Sequence, residues 1–327
     1  MNIRDRRAIH ESAAQALDRA PQAKQIVLVY AAISCGLSLL STLISVLLGD
    51  KISGAGGLGN IGLRSVLSTG QSVLPLVTFA ITTCLALGYH TAILSFTRGF
   101  DAYPRTLSCG FRHIGPLLRT LLMQGLIYTG VIFLALHISS FIFMATPYSQ
   151  RFLDVMEPYL SSMTVLSDSL VLDETLLATA LDAMKPMLLI LAAVCLVLMV
   201  PLHYRFRMVT FALADDPRRG AIHAIAKSRY LMRRNCFALF RLDLSLWWFY
   251  AGSLGIQLVC YGDTLLPMVG VTFPWSDTVS YYLFYVLSLV LQLALYYFGM
   301  NKVYGVYAVA YDALQEGLPQ IEQPVQA

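Results

Sequence analysis

The side chains best placed to do chemistry in this sequence are cationic. Arginine recurs at every seventh position in Arg98, Arg105, Arg112 and Arg119. Seven residues are nearly two helical turns, so Arg105, Arg112 and Arg119 would share one helix face, with Leu107, Phe111, Ile114 and Leu118 roughly opposite. Pro104 keeps Arg98 off that helix. The pattern predicts an amphipathic helix in the membrane interface, its arginines towards lipid phosphates. A positive-inside loop with no specific ligand explains the spacing equally. A second concentration lies in 203–241, where Arg218, Arg219, Lys227, Arg229, Arg233 and Arg234 follow Arg205 and Arg207 and precede Arg241. The matching ligands would be anionic headgroups or an acidic cytosolic partner, although membrane orientation alone also accounts for the charge. Neither a nucleic-acid motif nor an interleaved aromatic set accompanies it, so nucleic acid is not an expected partner.

Uncharged chemistry is sparse. His137, Gln257 and Gln292 stand in apolar runs and form a possible intramembrane polar site, since ionisable groups in a bilayer are functional by default. For His137, an interhelical hydrogen bond is the simpler role. Asp243 has Arg241 or another nearby arginine for a partner. Gly54, Gly56 and Gly59 satisfy G-x-G-x-x-G, but the dinucleotide fingerprint needs a preceding strand, and here an apolar helix precedes. Tyr261-Gly262-Asp263 and Tyr311-Asp312 bring intramembrane aspartyl proteases to mind, yet the two aspartates fall on opposite sides of the predicted membrane, about 30 Å apart across a bilayer. The acidic residues of 148–186 lack the alternation and central glycine of a calcium loop. The six cysteines show no metal spacing and read as reduced thiols. Nothing predicts a cofactor or a catalytic constellation.

These residues must be positioned by membrane helices. Of 327 residues, 57% are hydrophobic and 13% charged, with a mean hydropathy of +0.64. Soluble domains carry about 25% charged residues. Six runs are long enough to span, at about 25–48, 72–96, 119–146, 187–213, 242–262 and 280–308. The first 24 residues are polar, too long for a signal-peptide n-region, and read as a basic cytosolic tail. Segment 148–186 reads as an outer acidic stretch with short amphipathic helices. Residues 317–327, with two prolines and no periodicity, read as a disordered tail.

Charge then orients the chain. Lys and Arg number five in the N-terminal tail and one in the C-terminal tail; the five connections between hold two, four, two, nine and none. The alternation puts nineteen of the 23 on one side, predicting cytosolic termini and six spans.

The fourth connection also carries a resemblance. Ala226-Lys227-Ser228, Leu231-Met232, Phe240 and Leu244-Ser245 resemble a stretch of domain-of-unknown-function family 975. Leu63-Arg64-Ser65, Gly88-Tyr89, Arg98-Gly99, Gly110-Phe111, Tyr311 and Leu314 are similar to the same family, while Arg234 stands where the resemblance leads one to expect Gly. It implies a six-span helical protein of the bacterial cytoplasmic membrane and brings no activity with it. The sequence therefore predicts an all-α, polytopic helical membrane bundle, N-in and C-in, with residues 25–316 as the membrane domain. The expected role is a non-enzymatic accessory or scaffold protein contacting lipids or a partner through its basic loops. The alternative is a permease-like transporter of a small or lipidic solute.

Overall fold

The computed structural model describes residues 5–54, 61–163, 174–268 and 277–316. Every regular element among them is helical. In chain order they are α1 Arg6–Asp18, α2 Gln22–Gly54, α3 Ile61–Thr97, α4 Cys109–Arg112, α5 Ile114–Met144, α6 Tyr148–Met163, α7 Glu174–Phe206, α8 Val209–Asp215, α9 Gly220–Met232, α10 Cys236–Ser245, α11 Trp247–Cys260, α12 Gly262–Met268, α13 Asp277–Leu295 and α14 Asn301–Glu316. A π turn, Tyr296–Met300, joins α13 to α14.

Five helical runs are long and apolar enough to cross a membrane: Gln22–Gly49, Ser65–Thr97, Ile114–Met144, Asp182–Asp215 and Val279–Glu316. Their surfaces are apolar as well as their cores. On α2, Leu39, Leu40, Leu43 and Leu47 are all exposed. In water such a stripe would be an association liability; in hydrocarbon it is simply solvated. Five such runs mark a multi-pass membrane protein.

The predicted fifth span, 242–262, is not one helix. It is divided among α10, α11 and α12, with breaks at Leu246 and Tyr261. At the first break the Ser245 hydroxyl donates back to the Leu242 carbonyl at 2.6 Å, and Leu246 N–H turns to Asp243 at 2.9 Å. A serine bonding its own backbone competes with the regular helical ladder.

The expected interfacial helix after the second span is likewise absent as a single element. Pro104–Ser108 is a 3₁₀ turn, α4 lasts four residues, and His113 breaks the chain before α5 begins. Two glycines explain the shape. A Cβ on Gly110 would lie 1.8 Å from the Cys84 carbonyl oxygen, and one on Gly88 would lie 2.2 Å from that of Leu107. The segment is thus pressed backbone-to-backbone onto α3, and only glycine permits that approach. Leu107 is buried there, while Phe111, Ile114 and Leu118 remain exposed.

By contact density the chain separates into two compact units, residues 1–120 with 207–327, and residues 121–206. In the smaller unit α6 packs on α7, and Phe143 meets Phe152 edge-on at 5.9 Å. The core of the larger unit gathers Tyr89, Ile93, Leu213, Leu231 and Tyr311, all fully buried. Residues 6–18, read from sequence as part of a polar tail, form α1, which packs against α14 and buries Ile9 and Ala13. Asp5 starts it, accepting from Ala8 N–H at 3.3 Å. The expected disordered tail, 317–327, lies outside the described residues, as do Asp168 and Asp173 of the acidic stretch.

Candidate functional site

The densest polar constellation is in the larger unit, where the ends of α3, α8 and α14 meet the middle of α9. Asp215, the last residue of α8, is its hub. Its Oδ1 accepts from Arg98 Nη1 at 2.7 Å. Its Oδ2 accepts from Lys227 Nζ at 2.9 Å, Gln315 Nε2 at 3.0 Å and the Tyr311 hydroxyl at 3.1 Å. Arg98 also grips Asp312, with Nη2 2.7 Å from Oδ1 and Nε 3.3 Å from both oxygens. Lys227 further lies over the Tyr311 ring, 5.3 Å from its centroid. Partial burial would lower the Arg98 pKa, but the bonds and charges of Asp312 and Asp215 outweigh it and hold the guanidinium above its usual value. A polar cavity of about 650 Å³ opens beside this hub, lined in part by Ser12, Thr97, Arg98 and Asp312.

A second constellation lies deeper. Arg207 Nη2 donates to the Tyr307 hydroxyl at 2.9 Å and to that of Tyr250 at 2.5 Å. Its guanidinium sits over the Tyr307 ring at 4.7 Å. The Tyr250 and Tyr307 hydroxyls bond each other, and Tyr307 donates to Asp243 Oδ1 at 2.5 Å. Next to it is a layer of buried rings. His90 meets Tyr304 edge-on at 5.0 Å and Phe211 at 4.8 Å, with Nδ1 bonded to the Ala86 carbonyl. Tyr89 stacks on Tyr30 and donates to Asn301, whose amide donates in turn to the Ala23 carbonyl at 2.9 Å. Arg207 and Asp243 are therefore neutralised in a shared network, as charges in an apolar setting must be. What these two constellations do is cross-link helices that are remote in sequence.

The residues singled out by sequence divide in two. Lys227 and Arg219 are engaged internally, Lys227 on Asp215 and Arg219 on Asp216 at 2.8 Å. Arg105, Arg112, Arg119, Arg218, Arg229, Arg233 and Arg234 are exposed, and none forms an ion pair among the described residues. Arg105, Arg112 and Arg119 occupy three different elements instead of one helix face.

Of the proposed intramembrane trio, His137 belongs to the smaller unit and Gln257 and Gln292 to the larger. His137 bonds its own Phe133 carbonyl through Nδ1 at 2.8 Å and leans on the Phe133 ring. Gln292 donates to the Tyr296 hydroxyl at 2.9 Å, one turn along, and Gln257 is exposed on α11. Asp312 pairs with Arg98, and Asp263 accepts from Thr264, so both aspartates are accounted for without a shared proton. All six cysteines are free thiols.

Sequence alone does not single out Asp215 or Tyr307, and it raises Asp312 only as half of an aspartyl pair. Apart from Lys227, 12 positions from Asp215, their partners lie 57 to 214 positions away, beyond any local spacing rule. The one available signal was acidic residues at the ends of apolar runs near a strongly basic stretch.

No curated protein and no solved structure matches the chain significantly. A family model does match, over residues 1–309. That coverage, nearly the whole length, shows that the chain belongs to the family described as protein of unknown function, DUF975.

Proposed function

We propose that the chain is a six-span protein of the bacterial cytoplasmic membrane with both termini in the cytosol. On this reading the fifth span runs over about 242–262, from the second half of α10 through α11 despite the break at Leu246, which is about the 20 residues a bilayer needs. Its role is that of a non-enzymatic accessory or scaffold protein whose basic cytosolic face holds anionic headgroups or an acidic protein partner.

The observation that carries this reading is the division among the cations. Where the fold needs a cation it uses Arg98, Lys227, Arg219 or Arg207, each with an anionic or phenolic partner. Arg218, Arg229, Arg233 and Arg234 on and around α9, with Arg105, Arg112 and Arg119, are left facing outward. Each such charge near an anionic leaflet contributes about 1 kcal/mol of attraction.

Cross-linking in native membranes followed by purification tests the reading. A partner or tightly held anionic lipid should co-purify and be weakened when Arg229, Arg233 and Arg234 become Gln. Solute flux through proteoliposomes containing only this purified chain would overturn it in favour of transport.

A further inference from the structure

Three arginines converge where charge repulsion should drive them apart. Arg6 opens α1, Arg234 lies in the turn after α9, and Arg241 is on α10; together with Phe237 and Ala238 they line a pocket of about 280 Å³. None of the three forms an ion pair among the described residues, and no carboxylate lines the pocket. Arg6 is nevertheless drawn in, its Nη1 3.5 Å from the Arg241 carbonyl oxygen. The first turn of α10 contributes to the same wall through Phe237 and Ala238, and Asn235 provides no side-chain cap for it. Asn235 instead donates to the Leu231 carbonyl at 2.9 Å. A ten-residue helix thus presents its partial positive end to a pocket that already holds three guanidinium groups. Such a concavity fits a multidentate anion, and planar guanidinium donors match phosphate oxygens.

The source of the phosphate follows from what adjoins the pocket. At 100° per residue, Phe237, Phe240, Arg241 and Leu244 lie on one face of α10. Phe237 is 71% exposed and Leu244 60%, and beyond the break Trp247 is 65% exposed. An apolar stripe therefore leads directly away from the arginines along the helix pair, as acyl chains would lead away from a headgroup. A free phosphate or a soluble phosphoprotein would have no use for that stripe.

We propose that Arg6, Arg234 and Arg241, with the start of α10, bind the headgroup phosphate of an anionic phospholipid whose chains lie along Phe240, Leu244 and Trp247. This rests on the reading above that these helix ends face an anionic leaflet. It also gives α1 a function: by carrying Arg6 to the pocket, it makes the docking of the N-terminal helix sensitive to the lipid.

The test uses the full-length chain, purified in detergent and stripped of lipid. Thermal unfolding is followed as phosphatidylglycerol, phosphatidylcholine or inorganic phosphate is added. Phosphatidylglycerol should raise the unfolding temperature, phosphatidylcholine should not, and inorganic phosphate should not reproduce the effect. The R234Q/R241Q variant should need at least about tenfold more phosphatidylglycerol for the same shift. R6Q is the second variant, on an exposed side chain remote from the turn, should the double variant fail to fold; it should weaken the response in the same direction. R218Q/R229Q, on the broader basic face but outside the pocket, should weaken the response clearly less than R234Q/R241Q does. A response lost equally in R218Q/R229Q would overturn the pocket and leave the broader basic-face reading standing. An equal response to inorganic phosphate would overturn the lipid assignment. No response to phosphatidylglycerol in the unaltered chain would overturn the pocket as well.

Discussion

Replacing Asp215 with Asn tests whether the hub joining α3, α8, α9 and α14 holds the larger unit together. Asn preserves size and can still accept one or two hydrogen bonds, but it removes the charge that balances Arg98 and Lys227. Bonds to a charged partner are worth about 1.5–3 kcal/mol against about 1 for neutral pairs, so two weakened bonds cost about 1–4 kcal/mol. The new amide must also point at one of the two cations. Arg98 is one-third exposed and Lys227 about one-fifth, so water recovers part of the loss. The expected net cost is about 2–3 kcal/mol, below the 3–5 kcal/mol typical of breaking a fully buried pair. In a chain whose other five cysteines are replaced, Cys84 supplies the assay, because its buried thiol should meet a maleimide dye only on unfolding. The D215N/R98Q double variant should lose less than the sum of the single losses, since both act on one network. R229Q, altering an exposed arginine, should stay within about 0.5 kcal/mol of the unaltered chain. A D215N variant as stable as R229Q, or strict additivity with R98Q, would refute the hub.

Gly110→Ala should destabilise by about 1–3 kcal/mol, because its Cβ would fall 1.8 Å from the Cys84 carbonyl oxygen, whereas Gly130→Ala, with nothing within 4 Å of the added atom, should be neutral or stabilising. The same dye reports both, and equal effects would mean the 104–112 segment is not pressed onto α3. His10 gives a pH dependence: partial burial, and then the charge of Arg6, lower its pKa from 6.5. The unfolded state therefore binds the proton more readily. His10 contributes fully above pH 6.5, and that contribution declines as pH falls below it. Hydrogen-exchange protection across α1, relative to the intrinsic rate at each pH, should fall below pH 6.5 in the unaltered chain and lose that component in His10→Asn; an unchanged profile in the variant would remove His10 as the cause.

The spanning helices were legible because hydrocarbon imposes a crude requirement: about 20 apolar residues in a row, whatever their order. That rule reads length, and so it found 25–48 and 280–308 but not the break at Leu246, which depends on where Ser245 sends one hydroxyl hydrogen. It also overlooked α1, whose buried contacts, Ile9 and Ala13, are too few to make a stripe. Helical periodicity misled at Arg105, Arg112 and Arg119, since spacing cannot register that Gly88 and Gly110 admit a backbone contact stronger in consequence than the amphipathic pattern. At the candidate surface the sign of the charge was legible and its use was not. Lys227 and Arg229 look equivalent in sequence; one is spent on Asp215 and the other faces outward. Arg6 and Arg241 come together across 235 positions, a proximity that only the docking of α1 creates.

The central claim, a multi-pass chain with its basic face in the cytosol, is tested most directly by thiol labelling of intact cells with a membrane-impermeant maleimide. Starting from a chain with its native cysteines replaced, single cysteines at 109, 236, 151 and 265 are compared before and after permeabilisation. The account predicts labelling of positions 151 and 265 in intact cells, and of 109 and 236 only once the membrane is opened. Labelling of 109 or 236 from outside would contradict the arrangement, and with it the assignment of the arginine surface to the inner leaflet.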